Sequence, residues 1–552
     1  MLFDTRSQPR AVLKDPRFWL VLLLAVVLRC WALPNRPISF DEGYSLLISP
    51  LAPTDIVYWT GRDAHPPLYY FLLHGWLNVA GHSVTAVRLL SVIPGVITVF
   101  VQAWLMDLLA GRRAAWLAGL LLAIAPFLVR YSQDVRMYSW LALWLWAATL
   151  VLVLWLRSPR RGWLLLAYAV LMTLGLYTHY FAGLTLASHW LYLLWLRVRR
   201  GRPEAGARVW WACTGLVVLG FAPWLPSLLQ QLQHTGLYSG WMPPVTVRSV
   251  PELFWRFSVL GDGGAVPAAL WLAWPLLLAL LGIVLLFKER HALEPAALLL
   301  ASVLVPIVLV LALAWKVTLF YPRYLIVPAG ALPLLLALAL DQAMTRHKGW
   351  ATASLAALAG LSAVGIYTLV TQGDQDINRL REDDRVTFVT GFIGARARPG
   401  DLVLADHFGT YVKVFFYLPE TVPVQVLSGS TPPGSLGAEG ILYSNASQRL
   451  LPTLAEVPDT ICRVWWLSFD HGASAQALFS AAGWQLADHL PAQTPEAWLY
   501  ERAAPGCAVP GTARRPGPGQ VRWAQVLGPL PISQTNGGSV PLMAQSPTIR
   551  AL

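Results

Sequence analysis

Charged residues and cysteine are scarce in this sequence. Only 13% of its 552 residues are charged, against roughly 25% in soluble domains, and 56% are hydrophobic. This shortage of charge excludes an ordinary soluble domain and favours an integral membrane protein. The net charge of +12 comes from short clusters of Lys and Arg between apolar runs. Such clusters indicate orientation in a membrane rather than a nucleic-acid partner.

The four cysteines include no pair with the spacing of metal ligands. Cys30 and Cys213 fall within apolar runs and are interpreted as small core residues. Cys462 and Cys507 lie in the C-terminal region, where a disulfide would form only in an extracytoplasmic compartment. The sequence leaves that pairing open. It also leaves open whether a divalent metal serves as a cofactor.

Long apolar runs dominate the first two thirds of the chain. A helix needs about 20 apolar residues to cross a bilayer, and we identify eleven runs near that length: 18–33, 86–109, 114–129, 137–156, 163–179, 180–196, 209–226, 267–287, 293–315, 322–340 and 349–370. The fifth and sixth runs form one uncharged stretch that would make a helix of about 51 Å. We therefore expect that stretch to fold back near His179 and Tyr180. The pattern predicts a mainly α, polytopic membrane protein with about eleven transmembrane helices.

Positive charges concentrate on one side of these spans. The N-terminal flank and every second link carry most of the Lys and Arg, which places the N-terminus in the cytoplasm, beneath the cell inner (plasma) membrane. Residues 1–370 would then form the membrane module, and residues 371–505 an extracytoplasmic domain. Four β-rich segments and one helical segment predict a small α/β domain there. Residues 506–552, rich in Pro, Gly, Ser and Gln, are expected to be a disordered tail.

Polar residues of chemical interest gather on the predicted outer face. The first outer loop, about 34–85, is expected to contain amphipathic juxtamembrane helices, and three further links contribute polar side chains. These residues are Asp41, Glu42, Asp63 and His65 in the loop; Arg130, Tyr131, Asp134, Arg136 and Tyr138 in RYSQDVRMYS; His179 and Tyr180 in YTHYF; and Lys316, Tyr321, Arg323 and Tyr324 in KVTLFYPRY. No polar series runs through the centres of the spans, as it often would in an ion-coupled transporter.

Each of these residues also has a purely structural interpretation. Helix capping would account for Asp41 or His65, an i,i+4 ion pair for Arg130 and Asp134, a polar hairpin tip for His179, and snorkelling for Arg323 or Arg88. Taken together, however, the residue types suit the transfer of a sugar from a lipid phosphate. A carboxylate can remove a proton from an acceptor hydroxyl, arginines can stabilise a departing phosphate, and aromatic rings can stack on the sugar.

The sequence resembles the membrane glycosyltransferases of the GT-C superfamily. The likeness covers about residues 18–340 and is greatest to the branch that contains the protein O-mannosyltransferases and the lipid A aminoarabinose transferase (glycosyltransferase family 39 type). The segments that carry it are, in order, FDEGYS, DAHPPLYYFLLHGWLNVAG, TAVRLLSVIPGVITVF, RYSQDVRMYSWLALW, YTHYFAG and PRYLIVPAGALPLLLA.

The resemblance implies an inverting transferase with its active site on the non-cytoplasmic face. Its donor would be a sugar linked to a polyprenyl phosphate, and its acceptor a hydroxyl of a protein, lipid or glycan. By resemblance, Asp41 is the catalytic base, Glu42 a supporting or acceptor-binding acid, and Asp134 the acid of the second outer loop. We expect the donor phosphate or lipid to contact Arg130, Arg136, Lys316, Tyr321, Arg323 and Tyr324. Sugar or acceptor contacts are expected at His65, Tyr131, Asp134, Tyr138 and His179.

Two other classes of function stay open at this stage. A polytopic transporter or lipid flippase would use the outer polar groups as a substrate vestibule, and Pro126, Pro275 and Pro306 would suit broken spans. A non-catalytic scaffold would present the outer domain to a partner. Both classes, like the transferase, have membrane lipids as neighbours and no nucleic acid as partner.

Overall fold

The structure is a computed structural model. It describes residues 15–200, 205–233, 242–261, 293–314, 316–317, 319–372, 385–419, 421–427, 450–469, 473–490, 495–502 and 507. The predicted span 267–287 and residues 508–552 of the predicted tail lie outside the described residues.

Helices account for nearly all of the described chain up to residue 372. In chain order they are α1 (Pro16–Cys30), α2 (Phe40–Ile48), α3 (Pro53–Gly61), α4 (Leu68–Ala80), α5 (Val84–Ala110), α6 (Arg112–Ile124), α7 (Pro126–Ser132), α8 (Tyr138–Arg157), α9 (Trp163–Thr178), α10 (Ala182–Arg200), α11 (Ala205–Phe221), α12 (Leu225–Gln233), α13 (Ser249–Val259), α14 (Leu293–Ala314), α15 (Ile326–Arg346) and α16 (Lys348–Gln372). A short 3₁₀ turn, Pro322–Leu325, precedes α15.

The described helices make this a multi-pass membrane protein. Within the described ranges, six helices are long and apolar enough to cross a membrane, or seven if the bent pair α6–α7 counts as one span. The two halves of that pair meet at 61°, where Pro126 lacks the N–H that would continue the helix. The predicted break at His179 is confirmed between α9 and α10. The predicted total of eleven spans is not confirmed.

The first outer loop folds into the three short helices α2, α3 and α4. Ser39 caps α2, and Pro53 begins α3 at the position where its missing N–H costs no hydrogen bond. Gly81 ends α4 with a φ of 82°, in the left-handed region that favours glycine. Helix α2 is buried on almost every side, because residues 405–426 of the sheet region pack against it.

A six-stranded sheet follows the helices. It comprises β1 (Leu402–Ala405), β2 (Val424–Leu427), β3 (Leu450–Leu451), β4 (Arg463–Ser468), β5 (Gln485–Leu490) and β6 (Glu496–Glu501), with helices α17 (Val386–Gly394), α18 (Phe408–Val414) and α19 (Ala473–Ala481). The strand order is β3-β2-β1-β4-β6-β5. Strands β3, β2, β1 and β4 are parallel, while β6 runs antiparallel to β4 and β5. The predicted β-rich segments correspond to β1, β2, β4 and β6.

Helix α18 packs the sheet region against α2. The two elements approach so closely that a Cβ on Gly43 would lie 1.9 Å from the carbonyl oxygen of Val412, so only glycine fits there. Nearby, the rings of Phe40 and Phe408 meet edge to face at 5.7 Å. A disulfide joins Cys462, directly before β4, to Cys507. The boundary at residue 370 stays a prediction, since residues 1–507 form one compact unit.

Candidate functional site

The site is built around Asp41 in the first turn of α2. The Oγ of Ser39 accepts the capping hydrogen bond of this helix, so the interpretation of Asp41 as the cap is wrong. The Asp41 side chain is 20% exposed and forms an ion pair with Arg323 through Oδ2. Its backbone carbonyl accepts hydrogen bonds from Ser45 Oγ at 3.0 Å and from Arg136 at 3.3 Å. These bonds fix the first turn and leave the carboxylate facing the arginine.

Glu42, the next residue, points into the protein and is 1% exposed. Its Oε1 accepts from Arg88 Nε at 2.9 Å and from the backbone N–H of Val135 at 3.1 Å. Its Oε2 accepts from Arg88 Nη2 and from the N–H of Ser39, both at 2.9 Å. Arg88 also donates to three backbone carbonyls just before α2. Glu42 and Arg88 therefore connect α2, α5 and the link before α8, and Arg88 does not snorkel.

Three tyrosines surround the guanidinium of Arg323. The centre of that group lies 5.0 Å from the ring of Tyr321, 5.6 Å from Tyr324 and 5.8 Å from Tyr138, within range of cation–π attraction. Arg323 itself is 4% exposed. The short turn before α15 thus places a buried cation against Asp41, with phenol rings on several sides. Snorkelling towards a membrane surface is wrong for this arginine.

We call the group formed by Asp41, Arg323 and the three tyrosines the pocket. Two histidines extend it away from Arg323. The rings of His65 and His179 lie 5.6 Å apart, and His179 also contacts Tyr324 at 5.1 Å and Tyr138 at 6.3 Å. His179 follows α9 directly and ends that helix. Nδ1 of His65 lies 3.6 Å from a carboxylate oxygen of Asp63. His65 does not cap α4, whose preceding residue is a proline without a side-chain bond.

Burial and charge set the ionisation of these groups. Burial opposes ionisation of Asp41, but Arg323 and Arg136 outweigh it and lower the pKa of Asp41 to about 2. Burial likewise opposes the ionisation of Glu42, and the adjacent Arg88 lowers the pKa of Glu42 below its ordinary value. For His65, burial lowers the pKa of the imidazole. At neutral pH the pocket therefore combines an ionised Asp41 with an uncharged His65.

Residues of the link before α8 lie behind the pocket wall. Arg130 and Asp134 form the predicted i,i+4 pair at 3.4 Å, and both are buried. The ring of Tyr131 contacts Arg130 at 5.4 Å and Tyr138 at 5.4 Å. Arg130 also interacts with Glu42 through its charge. Contact of Arg130 with a lipid phosphate, and of Asp134 and Tyr131 with sugar or acceptor, stay predictions.

One predicted member is not brought to the pocket. Lys316 is exposed, and the described residues include no side-chain partner for it. The segment KVTLFYPRY therefore divides, with its first residue outside the pocket and Tyr321, Arg323 and Tyr324 within it.

Sequence reasoning assigned no role to three residues of the pocket wall. Asp63 had been noted only as a polar residue of the outer face, and Tyr44 and Tyr70 had not been singled out. All three are buried and interact electrostatically with one another. Tyr44 lies one turn after Asp41 on α2, and Tyr70 ends the motif DAHPPLYY. That motif places an acid and two phenols near His65 in the sequence, and this clustering of polar groups could have indicated their place in the pocket.

The pocket does not have the form of a metal site. Within the described ranges, no three His, Cys, Asp or Glu side chains lie together as ligands. Asp63 and His65 are one potential pair, and Asp41 is held by arginine instead. Whether the protein uses a divalent metal stays an open question of the sequence.

The chain is similar to known proteins in sequence over part of its length and in fold over most of it. Residues 64–226 match the sequence model of the dolichyl-phosphate-mannose-protein mannosyltransferases. Two crystal structures of ArnT from Cupriavidus metallidurans have the same fold with a TM-score of 0.58 and 14% sequence identity. The apo form covers 87% of this chain and 97% of ArnT, and the form bound to undecaprenyl phosphate covers 90% and 100%. No curated protein sequence matches the chain.

The predicted GT-C resemblance is confirmed. The chain is similar to GT-C membrane glycosyltransferases of the protein O-mannosyltransferase and ArnT type. The region matched by the family model includes His65, Arg136, Tyr138 and His179. Asp41 and Arg323 lie outside that region and join the pocket from α2 and from the turn before α15. The fold thus assembles the pocket from five separate parts of the chain: α2, the segment before α4, the start of α8, the turn between α9 and α10, and the turn before α15.

Proposed function

We propose that this chain is an inverting glycosyltransferase. It moves a sugar from a polyprenyl-phosphate-linked donor to a hydroxyl of a protein, lipid or glycan. The observation that carries the proposal is the juxtaposition of Asp41 and Arg323 inside a ring of phenols and neutral imidazoles. The GT-C similarity supports the reaction class, and the complex of ArnT with undecaprenyl phosphate supports the class of donor.

Asp41 is the base in this proposal. As the acceptor oxygen attacks C1 of the sugar, the Asp41 carboxylate takes the hydroxyl proton. The bond between C1 and the phosphate oxygen breaks, and its electron pair leaves with the polyprenyl phosphate. One displacement at C1, from the face opposite the phosphate, inverts the configuration there. Glu42 is a poor candidate for this role, because arginine and backbone N–H groups already occupy both of its oxygens.

Arg323 stabilises the charge that develops on the leaving phosphate. A guanidinium has five N–H donors in a planar fork, so Arg323 can bind a phosphate oxygen while it remains near Asp41. The tyrosines Tyr138, Tyr321 and Tyr324 limit the motion of this group and exclude water around it. Charge stabilisation is strongest where the donors are already oriented and dry.

The reaction takes place on the extracytoplasmic face in this proposal. The disulfide Cys462–Cys507 favours an oxidising compartment for the sheet region, because such bonds are rare in the cytosol. Through α18 the sheet region packs directly on α2, which carries Asp41. The N-terminus would then be cytoplasmic, in agreement with the distribution of positive charge.

Replacement of the base tests the proposal. In purified protein incubated with polyprenyl-phosphate sugars and native membrane extract, Asp41→Asn should lower transfer by about 10²–10⁴-fold, the usual contribution of a positioned base. Thermal unfolding in detergent should show that the variant stays folded. Asp55→Asn is the matched control, because Asp55 lies on the same loop and is exposed. The control should transfer sugar at the wild-type rate, and an Asp41→Asn enzyme as active as the control would refute the assignment.

A further inference from the structure

The pocket contains a second carboxylate that differs from Asp41 in its surroundings. Asp63 is 8% exposed and lies at the end of α3. Among the described residues, His65, Tyr44, Tyr70 and Tyr180 interact electrostatically with Asp63. Among the described residues, no arginine or lysine forms an ion pair with it. A buried carboxylate normally pairs with a cation or with several hydrogen-bond donors. Asp63 is therefore suited to bind a ligand that donates hydrogen bonds.

The groups around Asp63 have unused hydrogen-bonding capacity. The hydroxyls of Tyr44 and Tyr70 and Nδ1 of His65 are buried without a hydrogen bond of good geometry among the described residues. Tyr44 and His65 nevertheless lie close enough to Asp63 to interact with it, and Tyr70 interacts with Arg136. Tyr44 is 5% exposed and Tyr70 is fully buried. Buried polar atoms of this kind are rare in native proteins and usually have a functional reason. Here the carboxylate of Asp63, the imidazole of His65 and the phenols of Tyr44 and Tyr70 lie together in one buried cluster, which we call the subsite.

The far wall of the subsite is fixed in place. The hydroxyl of Tyr180 donates to Gln231 and accepts from Trp224 Nε1 at 2.9 Å. Gln231 in turn donates to the carbonyls of Thr60 at 2.9 Å and Gly61 at 3.2 Å, the last residues of α3. Helix α12 therefore holds the end of α3 against the hairpin between α9 and α10. Pre-organised groups lose little freedom when a ligand binds.

We propose that Asp63, with Tyr44 and Tyr70, binds hydroxyl groups of the transferred sugar and determines which sugar is accepted. This inference rests on the proposed function. A carboxylate can accept hydrogen bonds from two neighbouring hydroxyls of one sugar ring, and phenols can donate or accept as needed. This sugar subsite is separate from the proposed site of the donor phosphate at Arg323.

The enclosure of the subsite favours the sugar over the acceptor as its ligand. The side chains of Asp63 and His65 are only 11% and 13% exposed, and this enclosure favours a compact monosaccharide over a large acceptor. The rings of His65 and His179 form one side of the subsite and suit the C–H face of a sugar. Tyr70 interacts with both Asp41 and Asp63, so a sugar at this subsite would remain next to the base.

The test compares two lipids on the full chain. Binding of undecaprenyl phosphate and of undecaprenyl-phosphate hexose to purified wild-type protein, Asp63→Asn and Asp55→Asn is measured by thermophoresis. Wild type and Asp55→Asn should bind the hexose lipid more tightly than the bare lipid. Asp63→Asn should lose about 10- to 100-fold in affinity for the hexose lipid, because one or two hydrogen bonds to a charge are lost. Its affinity for the bare lipid should stay unchanged.

The outcomes separate this inference from the proposed function. Equal losses for both lipids would show a structural role for Asp63 and overturn the inference, while leaving the proposed function in place. Failure of the wild type to bind either lipid would refute both. Tyr44→Phe serves as a second variant that removes only a hydroxyl. It should lower the affinity for the hexose lipid by a few-fold and leave the affinity for the bare lipid unchanged. A transfer assay with unlabelled acceptor should show unchanged acceptor KM in both variants, and a raised acceptor KM would assign the subsite to the acceptor instead.

Discussion

The two faces of α2 carry adjacent carboxylates with different surroundings. On the pocket face, Asp41 is 20% exposed and pairs with Arg323. On the inner face, Glu42 is 1% exposed and accepts four hydrogen bonds, two of them from Arg88. An oxygen that already accepts several N–H groups has little capacity to take a substrate proton. The pair therefore divides into a group available for chemistry and a group that supports the fold.

The largest effect on stability should follow from the loss of Glu42 on the inner face of α2. Glu42→Ala leaves the Arg88 guanidinium buried without its carboxylate, which typically costs about 3–5 kcal/mol. Thermal unfolding in detergent should show a marked fall in the melting temperature. Asp41→Ala also removes the carboxylate of a buried arginine, but it should lower the melting temperature less, since Asp41 is partly exposed and Arg323 keeps its ring contacts with three tyrosines.

A double-mutant cycle sharpens this contrast. Glu42→Ala and Arg88→Ala remove the same interaction, so their destabilisations should not add in the double variant. Additive effects, or equal losses for Asp41→Ala and Glu42→Ala, would contradict the division of α2 into two faces.

A smaller effect is expected on the pocket face at Arg323. Arg323→Gln removes a cation from the proposed phosphate site and should weaken binding of undecaprenyl phosphate by about 10- to 100-fold, the usual value of one or two charge-assisted hydrogen bonds. Lys316→Ala is the matched control, because the same segment carries Lys316 but its side chain is exposed. An equal loss of affinity for undecaprenyl phosphate in Lys316→Ala and Arg323→Gln would show that the phosphate binds away from Asp41.

Much of the architecture was readable from the sequence because it depends on local patterns. Long apolar runs predicted the helices, and the uncharged stretch around His179 was too long for one crossing. The strands β3 and β5 were missed for physical reasons. The first has only two residues, and β5 is largely exposed and carries a register irregularity between Leu486 and Asp488. Neither has the apolar alternation on which strand prediction depends.

The site was predictable in its composition but not in its pairings. Asp41 and Arg323 are 282 positions apart, so no local pattern could join them. By contrast, the capping box that orients α2 was written in the sequence as Ser39-x-x-Glu42. The interpretation of Asp41 as the cap overlooked this pattern. The contact of Lys316 with the donor phosphate or lipid stays a prediction, because a run of cations and phenols does not reveal which of them face inward.

The smallest expected effect concerns the pH dependence of transfer. A base must be deprotonated in the free enzyme, and Arg323 helps to hold the pKa of Asp41 at about 2. Transfer efficiency, kcat/KM, should therefore show no loss from Asp41 between about pH 4 and 7, because protonation begins only near the pKa. In Arg323→Gln the opposing effect of burial weighs more, so the pKa of Asp41 rises and an acid limb moves towards neutral pH. Profiles of kcat/KM for wild type, Arg323→Gln and Lys316→Ala measure this shift. An acid limb at the same pH in all three enzymes would show that Arg323 does not control the ionisation of Asp41, and the contrast between the two faces of α2 would then rest on geometry alone.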